Sequence, residues 1–233
     1  ASCPVAGRFL YRGAGGQGDP AGEVAAWKTN LAVTGEAVSI NGEDWSPVAS
    51  GALNGWVQSV HLAQQSGQAP DSLAEIALRT LWALREQDYP TLGELAHPDG
   101  LRFAPYSYLS ESDQIFPPDQ VAFLPAMSRL FNWGVYDGTG EPIETSLFNY
   151  YSRFIFDVDF TSPEAIGFNY RLSSGSRINN IAEVYPDGQV VEYYFSGFDP
   201  QYSGMDWRSL QLVFRLVEGS YKLAAIVHDE WGP

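Results

Sequence analysis

The chain has 233 residues, with 13 basic against 28 acidic side chains and a net charge of -15. Domains cluster around roughly 100–150 residues, so this length suits two of them, and such a chain buries about 70% of its unfolded surface without needing staples. The basic residues are scattered with no run of three, which excludes clustered contacts to nucleic-acid phosphates and adsorption to an anionic lipid surface. At 45% hydrophobic and 18% charged residues the chain reads as globular. Its 7 Trp, 13 Tyr and 13 Phe favour sheets over helix bundles. The acidic surface is first a solubility device, with attraction to a cationic ligand or metal as the alternative.

No stretch reaches the ~18–20 apolar residues of a membrane span. The chain opens Ala1-Ser2-Cys3, and Cys3 is its one cysteine. Small residues before a cysteine resemble the end of a bacterial lipobox, which implies lipidation at Cys3 and an extracytoplasmic location. Ala1-Ser2 reads equally well as a cloning scar. On this reading the protein meets a membrane only through that anchor, with its partner either wall material or another protein.

Residues up to about 62 read as β-structure. Phe9-Leu10-Tyr11, Glu23-Val24-Ala25, Leu31-Ala32-Val33, Ala37-Val38-Ser39-Ile40 and Trp45-Ser46-Pro47-Val48 are short apolar runs, separated by turn chemistry at 13–18, 41–42 and 51–55. Such spacing predicts a small barrel. Arg12-Gly13, then Asp44-Trp45-Ser46-Pro47-Val48, then Asn54-Gly55-Trp56-Val57 and Leu62 resemble a bacterial SH3 (SH3b) domain over residues 4–62. The resemblance implies binding of wall peptides through an aromatic groove, for which Tyr11, Trp27, Trp45 and Trp56 are candidates. Core packing is the competing role for Trp45 and Trp56, because small barrels need large side chains inside. Residues 63–70 are small and polar and read as a linker.

The rest, 71–233, predicts an α+β domain. Ser72-x-x-Glu75 matches a capping box, and Leu73, Ile76, Ala77, Thr80, Leu81 and Leu84 follow at helical spacing. Tyr89-Pro90 predicts a stop. Further helices are expected over Thr91–Ala96, from Pro118-Asp119 to about Leu124, and over Leu147–Phe156 after a Thr145 or Ser146 cap. The last carries an aromatic stripe of Phe148, Tyr151, Phe154 and Ile155. Ile178–Val184 and Val190–Phe195 predict a hairpin about Pro186-Asp187-Gly188. Alternation at Leu210, Leu212, Phe214 and Leu216, then at Tyr221, Leu223, Ala225 and Val227, predicts two strands with one buried face. Helices on a curved antiparallel sheet give a layered fold that resembles the cone-shaped nuclear-transport-factor-2-like (NTF2-like) class.

Five segments of this half also resemble a domain of bacterial envelope proteins and lipoproteins. They are His97-Pro98-x-Gly100-x-Arg102-Phe103-x-Pro105-Tyr106, Trp133-Gly134-x-Tyr136-Asp137-Gly138-x-Gly140-Glu141-Pro142-Ile143, Val191-Glu192-Tyr193-Tyr194-Phe195, Gly204-Met205-Asp206-Trp207-Arg208-Ser209-Leu210 and Ile226-Val227-His228-Asp229-x-Trp231. The resemblance implies a fold and an extracytoplasmic habitat, and it supplies no activity.

No motif for a metal or cofactor is present. His61, His97 and His228 are far apart in sequence, where zinc wants clustered ligands. Ser174-Gly175-Ser176 lacks the glycines that flank a serine nucleophile. Asp137-Gly138-Thr139-Gly140-Glu141 reads as a turn before it reads as a calcium loop. Asp157-x-Asp159 reads as solvated loop before acid–base pair. The enzyme hypothesis rests on His228 as general base, with Asp206, Tyr106 and His97 about a cone mouth. Asp229 should face away from His228 on a strand. Trp207 is expected to be buried packing. A non-catalytic binding or scaffold role is the leading expectation, with a structural subunit of an extracellular assembly as a further alternative.

Overall fold

The computed structural model describes residues 8–24, 31–173, 175 and 177–232. Cys3 and Trp27 lie outside the described residues. Strands β1 (Arg8–Gly13) and β2 (Gln17–Val24) pair antiparallel across one 3-10 turn, so part of the glycine-rich stretch is strand. There follow β3 (Ala32–Val33), β4 (Val38–Ile40), β5 (Glu43–Ser50) and β6 (Leu53–Gln58). They form a six-stranded antiparallel sheet ordered β2-β1-β6-β5-β3, with β4 also on β5. Asn41 and Gly42, at φ 54° and 84°, make the two-residue turn from β4 into β5, the conformation Asn-Gly favours. Gly55 is required by proximity: a Cβ there would lie 2.8 Å from the Tyr11 carbonyl oxygen on β1. Leu10, Val24, Val48 and Val57 form the small core.

The stretch read as linker contributes a strand. β7 (Gln64–Gly67) runs parallel to β12 (Ala165–Phe168) at the edge of the second sheet. Its Gln-Gln-Ser-Gly side chains carry no apolar signal, and backbone hydrogen bonding holds it there.

Helix α1 (Asp71–Arg85) buries Leu73, Ala77, Leu81 and Leu84. It begins one residue before the expected cap, with the amides of Leu73 and Ala74 bonded to the Pro70 carbonyl and no side-chain cap. Tyr89-Pro90 is a start rather than a stop: α2 spans Tyr89–Leu95, and proline in a first turn gives up no intrahelical bond. Next come β8 (Leu101–Ala104), β9 (Gln114–Phe116), α3 (Pro118–Phe123), β10 (Phe131–Val135), β11 (Pro142–Thr145) and α4 (Leu147–Phe154). Ser146 caps α4 through the Asn149 amide. Tyr151, Phe154 and Ile155 are buried as expected, whereas Phe148 is 69% exposed. Tyr151 Oη donates to the Leu84 carbonyl at 2.9 Å, tying α4 to the open end of α1.

After β12, the expected first hairpin arm is a four-residue helix, α5 (Ile181–Val184). β13 (Gln189–Phe195) instead lies between β12 and β14 (Arg208–Val217), and β15 (Ser220–Glu230) follows. The seven strands run β7-β12-β13-β14-β15-β8-β9. The sheet is mixed rather than antiparallel, because β7 on β12 and β8 on β15 are parallel. Leu210, Leu212, Phe214 and Ile226 face the main core with α1 and α4, while Val213, Ala225 and Val227 face Leu109 and Ile181 on the other side. Trp133 stacks on Tyr150 at 4.0 Å in the middle of the main core. The chain is thus a small antiparallel sheet followed by an α+β domain.

Asp88 caps α2, accepting from Thr91 Oγ1 at 2.7 Å and from the Thr91 amide at 3.1 Å. Those two bonds hold its pKa below the usual carboxylate value. A depressed carboxylate contributes its stability above the unfolded pKa of about 3.9 and loses it as pH falls through the folded value. Asp88→Ala should therefore cost about 1 kcal/mol at pH 7, with the gap to the parent closing below about pH 3. Thermal melts across that range check this, and equal melting at pH 7 would contradict the cap.

Candidate functional site at the end of β15

Alternation along β15 divides three polar residues between the two faces of the sheet. His228 and Glu230 face the main core, and Asp229 faces the opposite layer. His228 has no exposed surface, and its ring meets Phe154 edge-on at 6.0 Å. Its Nε2 lies 3.3 Å from Asp157 Oδ1. Neither ring nitrogen of His228 nor that Asp157 oxygen has hydrogen-bond alignment with any partner among the described residues. Arg208 Nε donates to Asp157 Oδ2 at 2.7 Å, and Arg208 Nη2 lies 3.5 Å from Glu230 Oε2. The Arg153 guanidinium grips both Glu230 oxygens. Burial opposes the charged Asp157, but His228 and Arg208 outweigh it and lower its pKa. Asp157 is therefore an enclosed ion-pair member rather than a solvated loop residue, whereas Asp159 is exposed and bonds the Thr161 amide at 3.0 Å.

On the other face, Asp229 is 1% exposed and accepts from Arg177 Nη1 at 3.2 Å, with Arg171 Nη2 3.8 Å away. Burial raises the Asp229 pKa, and Ser107 together with the two arginines only partly offsets it. Arg177 also donates to the Glu230 carbonyl at 2.6 Å and to Asp137, and its guanidinium lies 4.6 Å over the Tyr106 ring. Those four contacts fix one wall of a cleft of about 620 Å³. Tyr106, Tyr108, Tyr136 and Ile178 supply apolar lining, with Asp113, Asp137 and Thr139 among the polar groups. Asp113 is held by Arg102 at 3.0 Å and by the Ser110 amide at 2.9 Å. The Asp137–Glu141 segment is the turn expected from its glycines, with Gly138 and Gly140 at φ 82° and 71°.

The sequence candidates divide accordingly. Tyr106 lines the cleft, and it packs 5.7 Å from Phe154, which in turn covers His228. Asp206 does not join them: it accepts from the amides of Phe198 and Asp199 at 2.9 and 2.8 Å and organises its own loop. Desolvation raises its pKa, and the amides of Asp199 and Phe198 together outweigh it and lower the pKa below the usual carboxylate value. His97 is at the far end of β15, its amide bonded to Leu223, five residues and about 17 Å of strand from His228. Burial, then Arg215, lower the His97 pKa. Trp207 is buried at 4% exposure but packs on Tyr194 and over Gly175, not on α1. In the first sheet Trp45 is buried, with Tyr11 edge-on to it at 5.7 Å, while Tyr11 and Trp56 are half-buried cross-strand partners. Sequence reading missed Arg177, Arg153, Arg208, Asp113 and Glu230, whose ion-pair partners are 11 to 77 residues away.

Arg177→Ala should cost about 3 kcal/mol, the low end for stripping a partner from a buried charge, because Arg171 still reaches Asp229. Urea unfolding measures this, and a loss below about 1 kcal/mol would mean that Arg177 does not carry the wall.

No family model matches the chain, and no curated protein matches it. A solved structure assigned as a calcium/calmodulin dependent protein kinase II association domain, from Xanthomonas campestris, is similar to it at 12% identity and a TM-score of 0.30. The likeness covers 72% of this chain and 94% of that one, and at this score it says nothing about activity.

Proposed function

We propose that this chain is a non-catalytic binding protein of the bacterial cell envelope, with its ligand site in the cleft beside Tyr106. The observation that carries the reading is how the charged groups of the cleft are used. Arg177 is engaged by Asp229, Asp137 and the Tyr106 face, and Asp113 by Arg102 and Ser110. What remains open to a ligand is tyrosine surface, with Tyr108 at 56% and Tyr136 at 41% exposure. Aromatic faces with a few fixed polar groups suit recognition rather than proton transfer. His228 is fully buried and does not line that cleft.

In this reading the first sheet is an SH3b-like module, supported by the order of Trp45 and the Gly55-Trp56-Val57 strand and by the close approach that makes Gly55 obligatory. The α+β domain is NTF2-like, supported by helices packed on one face of the sheet. Wall fragments are the ligand class, and Cys3 carries a lipid anchor.

Tyr108→Ala should weaken retention on purified wall fragments about tenfold, some 1.4 kcal/mol, and leave melting unchanged because Tyr108 is largely exposed. Equal retention by variant and parent would remove the cleft from the function. Expressed from its native gene, Cys3→Ser protein should leave the membrane fraction, since acyl chains supply about 0.8 kcal/mol per buried methylene. A variant that stays with the membrane would exclude the anchor.

A further inference from the structure

We propose that Asp157, His228 and Glu230 form a binding site for a first-row divalent cation, zinc by ligand chemistry, clamping the ends of β14 and β15 to the segment after α4. One ligand atom from each residue lies within 4.8 Å of the others. The set is one imidazole and two carboxylates, which zinc accepts.

Three features separate this cluster from an ordinary buried ion pair. Nε2 of the fully buried His228 and Oδ1 of Asp157 are 3.3 Å apart, yet neither has a hydrogen bond. Two ligands about 2.0–2.1 Å from a tetrahedral zinc sit roughly 3.3 Å apart, each directed at the metal rather than at the other. Buried polar atoms without partners are costly, and a cation between them would satisfy both together. The second feature is Arg208, which takes the outer oxygen of Asp157 and reaches Glu230. It braces both carboxylates as outer-shell partners commonly do, leaving Asp157 Oδ1 inward. The third is Arg153, whose side chain is 46% exposed and occupies Glu230 from the solvent side. Arg153 can withdraw to water, and its withdrawal frees Glu230 to close on the cation. Arg153 is therefore a competitor for the site, and its removal should tighten binding. The site is distinct from the Tyr106 cleft: Phe154 packs between His228 and Tyr106, and the cleft-wall Arg177 meets Glu230 at its backbone carbonyl only.

The test is calorimetric titration of the full chain with zinc chloride after chelator treatment, with circular dichroism to verify folding. The parent should take up one equivalent. Asp157→Asn and His228→Gln should each weaken uptake at least tenfold, His97→Ala should leave it unchanged, and Arg153→Ala should tighten it several-fold. Asp157→Asn keeps the test usable if His228→Gln does not fold. No uptake by the parent, or parent-like uptake by Asp157→Asn, would overturn the site. Weaker or unchanged binding in Arg153→Ala would overturn the competition on which it rests.

Discussion

A carboxylate that is 1% exposed cannot remain charged inside a sheet without a cation beside it, and at Asp229 that cation is Arg177. The consequences spread outward from the pair. Having been drawn to Asp229, the guanidinium lies over the Tyr106 ring, holds the turn between β10 and β11 through Asp137, and donates to the Glu230 carbonyl. One arginine thereby joins β15, β8's following loop and the β10–β11 turn into a single wall. Remove its charge and each of those elements loses the contact that orients it toward the others.

The opposite face of the same strand solves the same problem differently. His228, Asp157 and Glu230 share two arginines, one half-exposed and one enclosed, yet two inward-facing ligand atoms stay without partners. A core of close-packed aromatics, with Trp133 on Tyr150 and Phe154 on His228, surrounds this polar pocket. Native interiors rarely leave such atoms unmatched, and here, unlike at single unmatched atoms such as Thr80 Oγ1 and Tyr150 Oη, two of them face each other 3.3 Å apart.

Much of the architecture was legible in the chain. Alternation in β14 and β15, the Asn41-Gly42 turn and the apolar stripe of α1 follow from local periodicity and turn chemistry, and the structure has all three. Tyr89-Pro90 misleads on local grounds, since proline serves a first helical turn as well as a stop, but the larger misreadings arise where the decisive contact is distant in sequence. β7 is polar and becomes a strand only because β12 is beside it, and the 178–184 segment becomes a turn of helix over the far face of the sheet. The site was legible only in part. Tyr106 and His228 could be singled out as chemically capable residues, but Arg177 and Arg153 looked like two scattered cations among 13 basic residues. Nothing local distinguishes an arginine that pairs with a carboxylate 52 or 77 residues away. The expected cone-mouth cluster separated for the same reason: His228 is near the end of β15, whereas His97 precedes β8 and bonds β15 at Leu223, five residues back along the strand.

The dependence of the cleft on the Arg177–Asp229 pair is tested most directly by a double-mutant cycle. Unfolding free energies of the parent, Arg177→Gln, Asp229→Asn and the double variant isolate the interaction from the cost of each change alone. A coupling of about 2 kcal/mol is predicted, within the range for directly paired charges. Additivity to within about 0.5 kcal/mol would show that the two residues act independently, and the wall would then need another origin.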